Sequence, residues 1–440
     1  MAEVGIDEAL TIAIELHREA FRARDSARLA TARSIYEQIL QSVPEHAQAL
    51  HLLGVLLHQG GESERGLELL ARAIRARPND ATMHNNLGNI LTDNKRHAEA
   101  AAAYRRAIEL GYEGANAVSN LGVSLMAAGE AEAAMTAFQR ALAIDPKHAG
   151  TLGNLGSLLY RARRYPEAIA HLQQAIEAEP HFAPTRRTLA LAFHRSGRQN
   201  EAVDTLRAWL EVMPDNAEAK HFLAVLLQQD VPGRSSDDYL RSAFDDLATT
   251  FDEHLRELDY RAPELLATAM ARALGVPDGR LDVLDAGCGT GLCAASLRPY
   301  AKRLSGVDLS PVMLAQAERR GSYDELVEAE LTAYIAARTA QFDVIVSADT
   351  LCYFGDLSAF LAAARGALRA RGLLAFTVER APSSEPPFLL QLHGRYSHAA
   401  DYVQRALVDA GFELRTSDVI TLRMEAGEPV VGLVVVALAA

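Results

Sequence analysis

Asp285, Gly287, Gly289, Gly291 and, one strand later, Asp308 are the residues whose types and spacing point most directly to chemistry. The apolar run Val283-Leu284 leads into Asp285-Ala286-Gly287-Cys288-Gly289-Thr290-Gly291. A second strand-like run, Leu304 to Leu309, carries Asp308. Glycines let the backbone approach a ligand closely, and a helix opening behind them would offer free N–H groups. An acid at the end of the next strand is placed to accept both hydroxyls of a ribose. The set describes a nucleotide-type ligand laid across the carboxyl edge of a parallel sheet. The acid precedes the glycines, their spacing is Gly-x-Gly-x-Gly, and no Gly-Lys-Ser/Thr follows, which excludes a P-loop.

Val283–Gly291 closely resembles motif I of the class I S-adenosylmethionine-dependent methyltransferases, and Asp308-Leu309-Ser310 with Met313 resembles their next motif. The resemblance covers roughly residues 235–440. It implies S-adenosylmethionine as methyl donor, S-adenosylhomocysteine as product, and no metal. Cofactor contacts are then expected from Asp285, Gly287, Cys288, Gly289 and Gly291, and from Asp308, Leu309 and Met313. Glu330-Leu331 follows the third strand, where the family usually has an acid for the adenine amino group; Asp324 and Glu328 are the alternatives. Asp349 falls where the family lines the methionine end and the substrate, and Tyr353 continues that loop.

The elements that must hold these residues alternate strand and helix, which predicts a mainly parallel sheet. Candidate strands are 281–285, 303–308, 325–329, 342–347, 372–378, 412–421 and 429–438. The last two, joined by Glu425-Ala426-Gly427-Glu428, read as an antiparallel hairpin. A seven-stranded sheet ending in such a hairpin is the arrangement the family shares. Ahead of it, Tyr239, Phe244, Phe251 and His254 lie in a stretch that resembles the cap helix by which small methyltransferases cover the cofactor.

The first half of the chain is periodic. Leu53-Gly54, Leu87-Gly88, Leu121-Gly122, Leu155-Gly156, Leu189-Ala190 and Leu223-Ala224 recur every 34 residues. Gly66, Ala100, Ala134, Ala168 and Ala202 stand twelve positions later, and Pro78, Pro146, Pro180 and Pro214 twenty-four positions later. Small residues let two helices pack closely, and proline ends the second. The pattern resembles the tetratricopeptide repeat, about seven units over residues 13–230. Such hairpins stack into an all-α superhelix with a groove. Asn86, Asn120 and Asn154 precede the Leu in three successive repeats and could pair with a bound peptide backbone, as in some peptide-binding arrays of this family; consensus asparagines bonded locally are the alternative. Arg187 and Arg195 suit a carboxylate ligand, although a charge cluster on a helical array is often a solvated face.

The expected organisation is therefore multidomain: a tetratricopeptide superhelix over 1–230, a linker and cap helices over 231–280, and an α/β Rossmann-like methyltransferase core over 281–440. Val231-Pro-Gly-Arg-Ser-Ser breaks the period and marks the boundary. A formal charge of −13 argues against nucleic acid as the main partner. No apolar run is long enough for a membrane span, and the start, with Glu3, Asp7 and Glu8, is unlike a signal peptide. Three cysteines without metal-type spacing fit a reducing cytoplasm.

Methyl transfer from a sulfonium is an in-line displacement in which alignment supplies much of the rate. A base is needed only if the acceptor must lose a proton. His398 is the leading candidate, with Tyr353 and Asp349 beside it, because Arg395-Tyr396-Ser397-His398 forms a polar cluster after the proline-rich crossover Pro382–Pro387. Arg395 and Tyr396 are candidate substrate contacts; for a carboxylate acceptor His398 or Arg395 would only orient it. The whole chain resembles a bacterial group of methyltransferases with N-terminal tetratricopeptide repeats, on Phe244-x6-Phe251-Asp252-x-His254-Leu255 and Gly394-Arg395-Tyr396-x-His398. Two expectations follow. In one, the repeats recruit a peptide or protein for O- or N-methylation. In the other, they are a scaffold for self-association or partner docking, and the acceptor is a small molecule.

Overall fold

The computed structural model describes residues 5–180, 183–229, 231–382, 386–425 and 427–440. Glu3, the centre of the proline-rich crossover and Ala426 of the C-terminal turn lie outside the described residues. The chain forms two compact units, Met1–Ala202 and Val203–Ala440.

The first unit is built of helical hairpins: α1 (Ile6–Ala23) with α2 (Ser26–Ser42), α3 (Ala47–Gln59) with α4 (Ser63–Ala76), and α5 (Ala81–Asp93) with α6 (His97–Glu109). They continue with α7 (Ala115–Ala127) and α8 (Ala131–Ile144), α9 (Ala149–Arg161) and α10 (Tyr165–Ala178), and α11 (Ala183–Arg195). Steric closeness explains the period. A Cβ on Gly88 would stand 2.7 Å from the Tyr104 ring, one on Gly122 2.6 Å from Phe138, and one on Gly156 2.6 Å from Leu172. Each partner lies sixteen residues on, on the second helix of the hairpin. Ala100, Ala134 and Ala168 are fully buried at the same contact. Polar side chains start several helices: the Asp80 carboxylate accepts from the Thr82 and Met83 amides, and the His148 ring from the Thr151 amide. Helix α4 stops two residues before Pro78, whose ring disfavours helix in the residue ahead of it.

Helix α12 (Gln199–Val212) crosses from one unit to the next, and the second unit continues with α13 (Ala217–Leu227), α14 (Asp237–Leu247), α15 (Phe251–Glu257) and α16 (Ala262–Leu274). The 34-residue period runs through α13, while long-range contacts group α13 with the second unit. His221 Nε2 lies 2.9 Å from the Gly394 carbonyl, and the ring stacks on Tyr239 at 4.0 Å. Gln228 Nε2 donates to the Leu390 carbonyl at 2.8 Å. The expected linker is ordered too: the Gly233 carbonyl accepts from the Gly355 and Asp356 amides, and the Ser235 amide donates to the Tyr353 carbonyl.

The sheet that follows comprises β1 (Leu281–Ala286), β2 (Ala301–Asp308), β3 (Glu325–Glu328), β4 (Phe342–Ser347), β5 (Leu368–Arg380), β6 (Phe388–Leu390), β7 (Tyr396–His398), β8 (Phe412–Glu425) and β9 (Glu428–Ala439). Between them lie α17 (Ala294–Leu297), α18 (Pro311–Arg319), α19 (Leu331–Ala336), α20 (Ser358–Ala367) and α21 (Ala400–Asp409). Strands β3-β2-β1-β4-β5 are parallel, and β9 pairs antiparallel with β5 and β8. The seven expected strands are present, and β6 and β7 bring the sheet to nine. Both faces are covered, so alternate residues enter different cores: Leu284, Ile345 and Phe376 on one side, Val283, Val344 and Ala375 on the other.

Two features differ from expectation. The segment Arg395–His398, read as a loop, is largely strand β7, which pairs with β6 and with the end of β5. Three residues are too few to show alternation in a sequence. The helix behind the glycine turn is a single turn, α17, so a long helix dipole is not what faces a ligand there. Among the described residues no helix is long and apolar enough to cross a membrane.

A chain starting at Val203 should therefore melt above one starting at Pro232, because the latter loses the His221 and Gln228 bonds. Scanning calorimetry is expected to show a gap of several degrees, about 2–4 °C per kcal/mol lost. Equal melting temperatures would show that α13 does not stabilise the second unit.

Candidate active site

The glycine turn follows from its backbone. Gly287, Gly289 and Gly291 have φ of 77°, 51° and 84°, left-handed values that side chains disfavour. The turn is tied to β2, because the Gly287 and Cys288 amides donate to the Val307 carbonyl. The Asp308 carboxylate accepts from the Gly289 amide at 2.8 Å and from the Ser310 amide at 3.0 Å. Asp285, almost fully buried, accepts from the Tyr323 hydroxyl at 2.6 Å. Burial pushes its carboxyl up to about 7, with nearby Asp308 adding to the rise. Burial also raises Asp308, against the backbone amides that favour its charge.

A cavity of about 210 Å³ opens at this carboxyl edge of the sheet. Asp285, Gly287, Cys288 and Gly289 line it, as do Asp308, Leu309 and Met313, and Glu330 with Leu331; Gly291 does not, being turned toward Tyr323 and Arg320. Glu330 caps α19 through the Thr332 and Ala333 amides. The alternatives fall elsewhere: Asp324 binds the Leu304 amide and Arg298, and Glu328 is exposed.

Helices α14 and α15 roof the cavity. Phe244, Phe251 and His254 face it, and Phe244 packs edge-on against both Phe251 and Tyr353. The roof is pinned to the two turns beneath. Ser310 Oγ donates to Asp245 at 2.5 Å, Thr290 Oγ1 donates to Asp252 at 2.5 Å, and Arg320 bridges Asp252 and the Thr290 carbonyl. Tyr239, the fourth expected roof residue, does not line the cavity; it stacks on His221 instead.

The far end of the cavity is charged. Arg423, buried on β8, donates from Nη1 to Asp349 at 2.5 Å, from Nη2 to Glu379, and from Nε to Glu425 at 3.3 Å. Arg395 donates from Nε to Glu379 at 2.6 Å and from Nη2 to Glu425. Thr377 Oγ1 adds a bond to Asp349 at 3.1 Å. These partners hold the Glu379 carboxyl below its ordinary range despite burial, whereas burial leaves Asp349 raised. Arg423, Glu379, Glu425 and Tyr260 were not singled out in the sequence. A readable signal existed for one: Glu379 closes the apolar run of β5 at the edge where such sheets receive ligands, whereas Arg423 lies in a strand already rich in polar and charged residues.

Two expected site residues are displaced from the chemistry. His398 is fully buried outside the cavity lining, with Nε2 3.2 Å from the Gly355 carbonyl. Burial pushes its pKa down to about 4. It cannot reach an acceptor in this cavity. Tyr396, likewise fully buried, donates its hydroxyl to the Pro232 carbonyl at 2.7 Å and does not line the cavity. Arg395, Asp349 and Tyr353 do line it, but Arg423 and Thr377 already engage the Asp349 carboxylate, and burial raises Tyr353 well above its ordinary range. In the first unit, Asn86 Nδ2 lies 2.7 Å from His51 Nε2, Asn120 is exposed, and Asn154 is half-buried. The three asparagines thus have unlike surroundings. Arg187 and Arg195 are exposed on α11.

The methyltransferase-domain family matches residues 284–376, and tetratricopeptide-repeat families match within 17–149 and over 159–226. The chain carries tetratricopeptide repeats followed by a methyltransferase domain. Human methyltransferase-like protein 27 is 44% identical over 84 residues, covering 19% of this chain and 34% of that protein. The malonyl-[acyl-carrier protein] O-methyltransferase of Enterobacter lignolyticus (strain SCF1) is 35% identical over 143 residues, 32% of this chain and 54% of that protein. A probable S-adenosylmethionine-dependent methyltransferase of Saccharomyces cerevisiae is 27% identical over 137 residues, 30% of this chain and 47% of that protein. The matched stretches thus span between about a third and about half of these relatives.

The Asp285 environment yields a pH prediction. Its folded pKa, about 7, lies above the ordinary 3.8, so the folded state binds the proton more tightly. Stability of the ligand-free protein should fall as pH rises from about 4 to 7, by an amount on the order of 2–4 kcal/mol. Asp285→Asn should flatten that slope in urea denaturation at a series of pH values. A slope unchanged by the substitution would show that Asp285 does not titrate in this window.

Proposed function

We propose that this chain is an S-adenosylmethionine-dependent methyltransferase whose repeat array recruits a peptide or protein for O- or N-methylation. The observation that carries the donor assignment is the Asp308–Gly289 pair on the cavity floor beneath the aromatic roof. The cofactor fits the residues present. A Cβ at Gly289 would meet only the Phe251 ring, at 3.9 Å, so the turn leaves open space on the cavity side. Asp308 would hold ribose hydroxyls, Glu330 and Leu331 would flank the base, and Asp285 with Asp349 would border the amino-acid end. When bound, S-adenosylmethionine supplies an electrophilic methyl group on a positively charged sulfur.

The protein's own contribution is alignment and exclusion of water. Phe244 and Phe251 close the roof, and the Asp252 and Asp245 bonds set its distance from the turns. His398 is buried away from the cavity and does not serve as the base expected of it. The acid cluster with Arg395 and Arg423 borders the acceptor end.

Tetratricopeptide arrays present a groove suited to an extended chain, which supports recruitment of a peptide or protein. The apolar lining of the cavity favours a second reading, a small-molecule acceptor with the repeats as an oligomerisation or docking scaffold. A cytoplasmic location accords with three buried, unpaired cysteines.

Asp308→Ala should weaken S-adenosylhomocysteine binding on the order of 100-fold, read by calorimetry, because two charge-assisted bonds to the cofactor disappear. Unchanged affinity would sink the donor-site assignment. A chain starting at Val203 should keep cofactor affinity but lose most turnover on the natural acceptor. Full turnover by the shortened chain would favour the small-molecule reading.

A further inference from the structure

At the charged end of the cavity, three hydrogen-bonding groups have no partner among the described residues. Arg395 uses Nε and Nη2 on Glu379 and Glu425, which leaves Nη1. The hydroxyls of Tyr353 and Tyr260, both on the cavity lining, make no hydrogen bond to a described residue. Both residues are half-buried and line the cavity. The two phenols flank the arginine pair: Tyr353 feels the charges of Arg395 and Arg423, and Tyr260 those of Asp349 and Arg423.

We propose that Arg395 Nη1, with the hydroxyls of Tyr353 and Tyr260, forms an acceptor subsite for a carboxylate carried on an otherwise apolar substrate. The proposal rests on the reading of this cavity as a methyl-donor site. Leu240, Phe244, Leu247, Leu255 and Leu258 supply the apolar surroundings. The charge count sets the kind of anion. Asp349, Glu379 and Glu425 outnumber Arg395 and Arg423 by one charge, with His393 3.4 Å from Glu379 at the edge. That excess repels a phosphate dianion about twice as strongly as a single carboxylate. A single carboxylate gains three donors and meets one spare guanidinium nitrogen.

One-sided binding also suits the chemistry. A carboxylate gripped by a full guanidinium fork has both oxygens engaged. Held on one oxygen by Arg395 Nη1 and the two phenols, it keeps the other oxygen free to attack. That oxygen forms the new bond to the methyl carbon, the carbon–sulfur bond breaks, and its electron pair neutralises the sulfur. No proton moves, which accords with a cavity whose Asp349 carboxylate is taken by Arg423 and whose nearest expected base, His398, is sealed away. The rival occupant is an amine drawn to Glu425, whose Oε2 has no hydrogen-bond partner among the described residues.

The test uses the full chain and begins with S-adenosylhomocysteine. Calorimetry in its saturating presence then compares 4-phenylbutyrate, 4-phenylbutyramide and 4-phenylbutylamine. The carboxylate is expected to bind about 10-fold tighter than the amide. Tyr353→Phe and Tyr260→Phe, which keep the rings, should each erase several-fold of that preference without changing affinity for the amide. Arg395→Lys, which keeps the charge, should lower it as well. With S-adenosylmethionine, label transferred to the carboxylate should be released as methanol by alkali. Equal affinity for carboxylate and amide, binding of neither, preference for the amine, or alkali-stable label overturns the subsite. Failure of S-adenosylhomocysteine itself to bind overturns the donor-site reading along with it.

Discussion

Arg423 engages every nitrogen of its guanidinium with carboxylates from three parts of the chain: the turn after β4, the end of β5, and the end of its own strand. A buried guanidinium left short of a partner costs several kcal/mol, so the three segments must arrive together. The consequences reach the backbone. Asp349 sits at φ 51°, a left-handed conformation that a non-glycine residue adopts at some cost. Arg423 and Thr377 hold it there, and that turn carries Thr350, Cys352 and Tyr353 into the cavity wall. The charged end of the cavity is thus fixed by an ion pair network rather than by a loop free to rearrange.

The glycine-turn end is built on a different principle. There the Gly287–Gly291 turn is held by β2, through the Val307 carbonyl and the Asp308 carboxylate, and roofed by α14 and α15. Each roof helix is anchored by one aspartate, Asp245 to Ser310 and Asp252 to Thr290. These bonds are partly exposed, whereas the Arg423 network is buried. Opening the roof for ligand exchange therefore disturbs weaker contacts than moving the acceptor wall would. The cavity thus has one end fixed by buried charge and a roof held by lighter contacts.

Much of this was legible from residue order. The strands were readable because short apolar cores, Val283-Leu284, Val344-Ile345-Val346 and Leu373–Phe376, each run toward an acid or a turn. The repeats were readable because Gly88, Gly122 and Gly156 each need a partner sixteen residues on. Asp285, Gly289 and Asp308 stood in two successive motifs, and the structure brings them to one cavity. The charged end was not readable in that way. Its members, Asp349, Glu379, Arg395, Arg423 and Glu425, come from separate elements and meet only through sheet pairing. His398 illustrates the converse error. A polar cluster in sequence suggested an exposed loop, but β7 pairing turns His398 inward against Phe388 and Tyr402.

Period and compactness divide the chain at different places because they report different physics. The 34-residue period records local packing within a hairpin, and Leu223-Ala224 keeps that signature in α13. Compactness records where long-range contacts close, and α13 closes on the second unit. Gly394 shows how tightly. Its φ is 87°, and an added Cβ would stand 2.9 Å from the Tyr239 hydroxyl and 3.3 Å from the His221 ring. Only glycine satisfies both the turn and the approach, and the next residue is Arg395, whose guanidinium borders the acceptor end. A helix with the sequence of a repeat therefore supplies the cover that the β6–β7 hairpin needs. The position of Arg395 is set from two sides, by Glu379 and Glu425 through charge, and by His221 and Tyr239 through the shape of the turn before it.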